Sequence, residues 1–408
     1  MSGEPIDFTE DLPVDEACRR LIERAVTIGA SDLFILSEED RVSAAVRHLG
    51  IMMRIATYPG DVGQRIIRHV KVEAGMDLGE RRRPLDGRWL LPRDDGRRID
   101  FRINSLPTLY GEDVCLRILD GSSQAKSLET LGLSGRQMQR LRPMLESPSG
   151  LVLVTGPTGS GKTTTLYSFV GQLNDGRRKI NTIEDPIEYE MDGVRQSQVS
   201  HAIELGFADI LVAVLRQGPD VIMIGEIRDP DTAATAVRAA NSGHLVFATL
   251  HAPIAAAAIQ SMLALGVPPH FLATSLLGVV SQRLVRTLCP RCRVAIDLTG
   301  APQVFGDARA LLDPGEPAAM YAPGVCDGCL RQGYAARAGV FEVMAMSPRL
   351  RGMIAVGASA RDLNRRAVEE GMIELRQAAL LQVARGLTSV EEIFRVIPTE
   401  YLGVEEAA

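Results

Sequence analysis

A glycine-rich segment carries the clearest chemistry in this sequence, because it combines backbone freedom with a lysine and hydroxyl side chains. It fits the phosphate-loop pattern GxxxxGKS/T and follows the apolar run 151–155. Its residues are Gly156, Pro157, Thr158, Gly159, Ser160, Gly161, Lys162 and Thr163, with Thr164 as a further nucleotide contact. Backbone N–H groups and a helix N-terminus favour bound phosphate. We expect Lys162 to reach the β- and γ-phosphates and Thr163 to hold Mg²⁺.

Carboxylates follow two further apolar runs. Glu226 comes just after the run 221–224, and in this class of nucleotide-binding proteins such a residue lies near Mg²⁺ or the attacking water. Glu184 and Glu188 follow the run 180–183, and a carboxylate is suited to orienting or deprotonating water. The three glutamates are predicted catalytic residues. For Glu184 and Glu188 the alternative is a solvated acidic turn.

Two histidines bracket the apolar run 245–250. His244 and His251 are seven residues apart, and side chains on one face of a strand recur every two residues. They should therefore lie at opposite ends of a single strand. Both are candidate catalytic residues, although a lone histidine more often has a structural role.

Two CxxC pairs lie late in the chain with 33 residues between them. They are formed by Cys289, Cys292, Cys326 and Cys329. Four thiolates in this arrangement suit tetrahedral Zn²⁺ and leave no position open for water, which predicts a structural site. A redox dithiol is the alternative for either pair alone.

Arg102 and Arg117 lie in a region that has no catalytic motif of its own. Surface arginine is the default interpretation. The alternative is that one subunit presents them to nucleotide bound on another.

Length and composition bound the remaining possibilities. The 408 residues predict two or three domains, and the chain is 46% hydrophobic and 24% charged with a net charge of −6. A chain-wide basic footprint for nucleic acid is therefore absent. No apolar stretch approaches the roughly 20 residues that a membrane span needs, and no signal peptide is visible. We expect a cytoplasmic protein, with any membrane link through a partner.

Hydrophobic periodicity predicts the elements that must position these residues. Residues 1–120 should form a small α+β domain, with helices near 15–28 and 61–74 and strands near 32–36, 42–48, 51–55, 97–104 and 113–119. Ser134 and Gln137 form a capping box that opens a helix. The apolar runs that precede the site residues alternate with helices, which predicts a parallel sheet covered on both faces. Later helices are predicted at 268–288, 361–371 and 373–385, with a last one capped by Thr388 and Glu391.

Together these motifs resemble one family, the secretion ATPases of type II secretion and type IV pilus systems, of the GspE and PilB kind. The resemblance covers about residues 15–397. Besides the phosphate loop and the four cysteines, it rests on residues 30–32, 83–88, 106–108, 111–112, 183–189, 225–229, 243–246, 249–251 and 282–284.

The resemblance implies an α/β fold: a RecA-like P-loop NTPase domain, a smaller PAS-like α+β N-terminal domain and a zinc-binding tetracysteine insertion. We expect the N-terminal domain over 1–120, a linker over 121–133 and the ATPase domain over 134–408. Within the last, 285–335 should form the zinc-binding subdomain and 336–408 a helical C-terminal part.

The resemblance also implies a function. A cytoplasmic homo-hexamer would hydrolyse ATP to assemble a pilus or pseudopilus through an inner-membrane platform protein and a recruiting membrane partner. Glu188 resembles the general base, Glu226 the Walker B glutamate and His251 a contact to the terminal phosphate. Arg102 and Arg117 match arginines that the N-terminal domain supplies to nucleotide. The tetracysteine insertion is typical of the assembly branch, and retraction ATPases of the PilT kind lack it.

Three departures from the family pattern remove polar groups near the nucleotide. Val212 stands in place of an arginine, so that only Arg216 remains in that stretch, Gly218 replaces an aspartate, and Ala252 with Pro253 replaces Thr-Asn. The extra N-terminal docking domain of many members is not seen, so we expect recruitment to differ. The losses motivate a second hypothesis, a nucleotide-gated scaffold with weak hydrolysis. A PilT-like retraction motor and a nucleic-acid translocase are further alternatives, and the acidic net charge disfavours the latter.

Overall fold

The computed structural model describes residues 6–7, 13–92, 98–120, 126–296, 312, 316 and 318–398. The chain divides into two compact units. The first comprises Met1–Gln124 with Cys326–Arg331, and the second comprises Ala125–Val325 with Gln332–Ala408. Of the predicted linker, residues 121–125 lie outside the described residues, as does much of the stretch between the two CxxC pairs.

Helices and strands alternate through the second unit, whereas strands dominate the first. The helices are α1 (Val14–Ile28), α2 (Gly60–Glu73), α3 (Gly135–Leu145), α4 (Lys162–Leu173), α5 (Phe207–Leu215), α6 (Pro230–Asn241), α7 (Ala255–Ala264), α8 (Pro269–Ser275), α9 (Pro348–Ala355), α10 (Ala360–Glu369), α11 (Leu375–Ala384) and α12 (Val390–Val396). The strands are β1 (Ile6–Asp7), β2 (Asp32–Ser37), β3 (Arg41–His48), β4 (Ile51–Pro59), β5 (Leu85–Pro92), β6 (Arg98–Thr108), β7 (Gly111–Asp120), β8 (Gly150–Thr155), β9 (Ile180–Glu184), β10 (Arg195–Gln198), β11 (Val221–Ile224), β12 (Leu245–Leu250), β13 (Leu276–Leu288), β14 (Val294–Ala295), β15 (Tyr321–Ala322) and β16 (Tyr334–Ala345).

The first unit is built on a seven-stranded sheet in the order β1-β4-β3-β2-β7-β6-β5. Its neighbouring strands are antiparallel, except that β1 runs parallel to β4. Side chains alternate between the faces: Phe101 and Ile103 of β6 are buried in the core with helix residues such as Leu21, while Arg102 and Asn104 are not. The predicted helices and strands of this region are confirmed, and β5 is a strand that the periodicity did not indicate.

The second unit contains another seven-stranded sheet, in the order β10-β9-β11-β12-β8-β13-β16. All neighbours are parallel except β13 and β16. Leu151 and Leu153 of β8 enter one hydrophobic core, whereas Val152 and Val154 enter a second core on the opposite face. The predicted parallel sheet with both faces covered is therefore confirmed.

The prediction of one helix over 268–288 is wrong beyond its first turns. Helix α8 ends at Ser275, and β13 then inserts between β8 and β16. A strand buried on both faces does not alternate in hydrophobicity, so periodicity cannot distinguish it from a helix. The β-branched pair Val279 and Val280 was the available strand signal. Likewise, residues 336–345 continue the strand β16 rather than a helical region.

The cap of the last helix is shifted by one residue from its prediction. Ser389 accepts a hydrogen bond from the backbone N–H of Glu392 and caps α12. The hydroxyl of Thr388 instead donates to the carbonyl of Arg286, at 2.7 Å. The two candidates are adjacent and share the same chemistry, so only the backbone path decides between them. The capping box of Ser134 and Gln137 is confirmed at α3.

Candidate active site

The phosphate loop connects the end of β8 to the start of α4, where Lys162 is the first helical residue. Gly156, Gly159 and Gly161 have φ angles of 147°, 76° and 89°, which side chains rarely adopt. A Cβ at Gly156 would also lie 2.4 Å from the carbonyl oxygen of Gln282. The turn therefore favours glycine at all three positions, and the close backbone approach requires it at Gly156.

The Lys162 ammonium lies across its own loop. Its Nζ donates to the carbonyl oxygens of Gly156 and Pro157, at 2.9 and 3.2 Å. Burial lowers the pKa of Lys162; the nearby carboxylate of Glu226 opposes this shift, and the positive charge of Arg283 adds to it. The lysine is therefore within electrostatic reach of the carboxylate that follows β11.

Glu226 lies between a histidine and an arginine at the same edge of the sheet. Nε2 of His251 lies 2.7 Å from one oxygen of its carboxylate, and a guanidinium nitrogen of Arg228 lies 2.5 Å from the other. The hydrogen bond to Glu226 raises the pKa of Arg228. The Glu226 side chain is mostly buried, so both of its oxygens are fixed in direction by these partners.

Strand register brings His251 to the phosphate loop. The last residue of β12, Leu250, pairs with Thr155, the last residue of β8. The hydroxyl of Thr155 accepts from the backbone N–H of Ala252 at 2.8 Å. The residue before the phosphate loop thus holds the segment that carries His251.

His244 lies at the opposite end of β12, as the spacing predicted. Its Nδ1 is 2.9 Å from the carbonyl oxygen of Ala239 in α6. The six residues of β12 span about 20 Å at 3.3 Å each. The structure does not bring His244 to the phosphate loop, so its position lends no support to a catalytic role.

Glu184 and Glu188 occupy contrasting environments. Glu184 is the last residue of β9 and is only 2% exposed. Its carboxylate accepts hydrogen bonds from Thr182 Oγ1 at 2.6 Å and Gln196 Nε2 at 3.1 Å. Glu188 lies in the following loop and is exposed. Only Glu188 has the access to water that a general base requires.

Arg102 and Arg117 belong to a row of charged side chains on one face of the first unit's sheet. Direct cross-strand pairs join Arg47 to Asp32, Asp32 to Arg117, Arg117 to Arg102, and Arg102 to Arg88. We call these five residues the arginine row. Directly opposed residues share a face, so four strand pairings align the five side chains.

Arg117 and Arg88 of the arginine row each contact a carboxylate. Arg117 Nε lies 3.1 Å from Asp32, and Arg88 forms a bidentate pair with Asp100 at 2.9 and 2.8 Å. Among the described residues, no carboxylate pairs with Arg102. Like charges placed directly opposite one another are destabilising. The surplus positive charge at Arg102 makes this face suited to an anion.

The four cysteines form one cluster. The sulfur atoms of Cys289, Cys292, Cys326 and Cys329 all lie within 4.8 Å of one another. The Sγ atoms of Cys326 and Cys329 are 3.6 Å apart, close to the roughly 3.8 Å expected between thiolates on a tetrahedral Zn²⁺ with bonds of about 2.3 Å. The donor set and its spacing therefore fit a structural zinc ion.

Comparison with known proteins decides the family. A model of the family described as "Type II/IV secretion system protein" matches residues 7–395. The chain belongs to this family. It is 40% identical to the type II secretion system protein E of Dickeya dadantii over 98% of this chain and 78% of the relative. It is 37% identical to the type II secretion system ATPase E of Vibrio cholerae, over 96% of this chain and 76% of the relative.

Family members named for pilus assembly are as similar to this chain as those named for type II secretion. The type IV pilus assembly ATPase PilB of Pseudomonas aeruginosa is 38% identical over 95% of this chain and 68% of its own length. Among solved structures, the Legionella pneumophila ATPase DotB has a TM-score of 0.70 at 21% identity, covering 95% of this chain and 97% of DotB. The pilus retraction motor PilT has a TM-score of 0.59 at 25% identity, covering 92% and 95%. The protein is thus a P-loop ATPase of this family.

Some residues at the site lie in segments that carry the family resemblance but were given no role from the sequence. Arg228 lies two positions after Glu226, but an arginine after a turn carries no signal of its own. Gln282 donates to the carbonyl of Ser160 at 2.7 Å from a strand that was predicted as helix. Asp32 contacts Arg117 across 85 positions of sequence, which only strand register reveals.

Within the part of the chain that the structure describes, none of the helices has the length and apolarity needed to cross a bilayer.

Proposed function

We propose that this ATPase powers assembly of a type IV pilus or a type II secretion pseudopilus, acting as a cytoplasmic homo-hexamer at the inner membrane. The observation that carries the chemistry is the convergence of the phosphate loop, Glu226 and His251 at one edge of the sheet. The choice of process is supported by relatives named for assembly and type II secretion, which are 37–40% identical over both units. Its partners would be the platform protein of that system and a recruiting membrane component.

The site residues take separate roles in this proposal. Residues 156–161 bind the phosphates through backbone N–H groups, with Thr164 as a further contact. Lys162 neutralises the β- and γ-phosphates, and Thr163 holds Mg²⁺, which draws charge from the phosphoryl group when bound. Glu188 accepts a proton from the attacking water. Glu226 orients the groups around the metal, and His251 contacts the terminal phosphate.

Arg102 and Arg117 would supply charge that the phosphate loop lacks. Negative charge develops on the transferred phosphoryl group, and cations placed there lower the barrier. Arginine stays charged and bonds phosphate in a bidentate fashion. We assign the first unit, which we propose to be a PAS-like domain, the role of presenting them, and residues 134–408 the role of the RecA-like motor domain.

A nucleotide-gated scaffold is the second candidate. At two positions where the family pattern has a charged residue, this chain has Val212 instead of an arginine and Gly218 instead of an aspartate. Val212 lies exposed on α5, and Gly218, with φ of 62°, lies in the turn before β11. A ring that binds ATP and turns it over slowly would then organise its partners rather than drive them.

Substitution of the phosphate-loop lysine separates these functions. Lys162→Ala should abolish ATP hydrolysis, because it removes the charge that meets the β- and γ-phosphates. Phosphate release is measured for the wild-type chain and the variant, with and without duplex DNA. A motor turns over ATP in a Lys162-dependent and DNA-independent manner. Wild-type turnover by the variant would refute the site, stimulation by DNA would indicate a translocase, and absent turnover in both proteins would favour the scaffold.

The tetracysteine cluster would hold one Zn²⁺ per chain. Metal analysis of protein purified without chelator should find one zinc, and Cys292→Ser should lower both the zinc content and the melting temperature. Nucleotide binding should be largely retained, because the phosphate loop lies between β8 and α4, whereas Cys292 lies in the segment after β13. Cys115→Ser, at a cysteine of the first unit's sheet, is the matched control. Protein containing no zinc would refute the assignment.

A further inference from the structure

A buried hydroxyl connects the helix of the phosphate loop to the loop that carries Glu188. Tyr167 lies on α4, five residues after Lys162, and its side chain is fully buried. Its hydroxyl donates to a carboxylate oxygen of Glu184. The same oxygen of Tyr167 accepts from the backbone N–H of Glu188, at 3.2 Å. One phenol thus contacts both glutamates of this segment.

Glu184 is satisfied by neutral donors on both of its oxygens. Tyr167 donates to Oε2, while Thr182 and Gln196 donate to Oε1 at 2.6 and 3.1 Å. With 2% exposure, the carboxylate has no open path to bulk water. A general base must reach the proton that it removes, and these three donors occupy the oxygens that would do so. The arrangement suits a fixed acceptor instead.

Gln196 extends the network to the far side of the loop. Its Nε2 also donates to the carbonyl of Tyr189 at 3.1 Å, and its Oε1 accepts from the backbone N–H of Met191 at 2.8 Å. The ring of Tyr189 packs edge-on against that of Tyr167, with centroids 4.4 Å apart. The backbone of Glu188 and of the residues that follow it is therefore held by groups that are connected to Glu184.

We propose that Tyr167 and Glu184 are positioning residues, which fix the backbone of Glu188 relative to the phosphate loop, and that Glu184 is not itself a base. This inference rests on the proposed role of Glu188 in ATP hydrolysis. Tyr167 lies close to the phosphate loop along the chain, because α4 starts at Lys162 of that loop and Tyr167 lies in the second turn of the helix. Burial raises the pKa of Tyr167, and its hydrogen bond to Glu184 raises it further, so the phenol remains a donor.

Removal of one oxygen atom tests the proposal in the full-length ATPase. Tyr167→Phe keeps the ring and its packing but leaves Glu184 and the Glu188 N–H without their partner. We expect kcat to fall about tenfold, with KM and the Kd for ATP changed less than about twofold, because two buried hydrogen bonds of modest net strength are lost away from the nucleotide. Glu184→Gln should lower kcat in the same way. Tyr334→Phe removes another buried tyrosine hydroxyl, which pairs with Ser389 Oγ at 2.7 Å outside this network, and should leave kcat unchanged.

A double variant separates positioning from general stability. If Tyr167 acts through Glu188, adding Tyr167→Phe to Glu188→Gln should cause no further loss of turnover. A second tenfold loss would overturn the proposal, and so would a wild-type kcat for Tyr167→Phe with only a lowered melting temperature. If Tyr167→Phe does not fold, the cycle of Glu184→Gln with Glu188→Gln decides on the same criteria.

Different results would disprove the proposed ATPase site and the positioning role of Tyr167 and Glu184. If Lys162→Ala keeps its turnover, the proposed ATPase site itself is wrong. If Lys162→Ala and Glu188→Gln lose turnover while Tyr167→Phe and Glu184→Gln keep it, only the positioning role is wrong. A selective loss in Glu184→Gln, with normal turnover in Glu188→Gln, would instead make Glu184 the base.

Discussion

The phosphate-loop edge of the second unit and the arginine row of the first unit both carry positive charge suited to an anion, but they do so in different ways. The edge combines backbone N–H groups and one lysine with carboxylates and a histidine. The row places arginines on adjacent strands and contains a single carboxylate, Asp32, between Arg47 and Arg117. We therefore assign phosphate binding and proton transfer to the edge, and a surplus of positive charge to the row. Binding and charge stabilisation are thus assigned to different units.

The largest effects should come from the glutamates at the phosphate-loop edge. Glu226→Gln and Glu188→Gln should each bind ATP and turn it over at least about 100-fold more slowly, the scale of a lost acid–base or positioning group. Nucleotide binding and phosphate release are measured side by side. Glu190→Gln, an exposed carboxylate of the same loop, serves as the control. Near-normal turnover in either test variant would remove that residue from the catalytic set.

A smaller effect should follow from loosening the arginine row without removing an arginine. Asp32 is 6% exposed and anchors Arg117. Asp32→Asn should lower turnover several-fold, because Arg117 keeps its charge but loses the ion pair that orients it. Asp100→Asn loosens Arg88 in the same face and is the matched control. Equal losses in both variants would show that the sheet as a whole, rather than Arg117, has been disturbed.

The same two regions show how far the sequence could be interpreted. The phosphate loop is contiguous, so its pattern, its strand and its helix were all predictable. The carboxylates and His251 could be placed at one edge because parallel strands end together. The arginine row could not be derived from spacing, since four strand registers over residues 32–117 create it. β13 was missed because a strand covered on both faces shows no alternation, and with it the contact of Gln282 was missed.

The measurement that tests the central claim most directly is ATP turnover in the full-length chain after the side chain of Arg102 has been truncated. Arg102→Ala should bind ATP with wild-type affinity and lose at least about 100-fold in turnover, because an arginine that stabilises transferring phosphate contributes on that scale or more. Arg47→Ala, from the other end of the arginine row, should keep its turnover. If Arg102→Ala hydrolyses ATP at the wild-type rate while Lys162→Ala does not, the first unit supplies no charge to the reaction, and the division of labour proposed here is wrong.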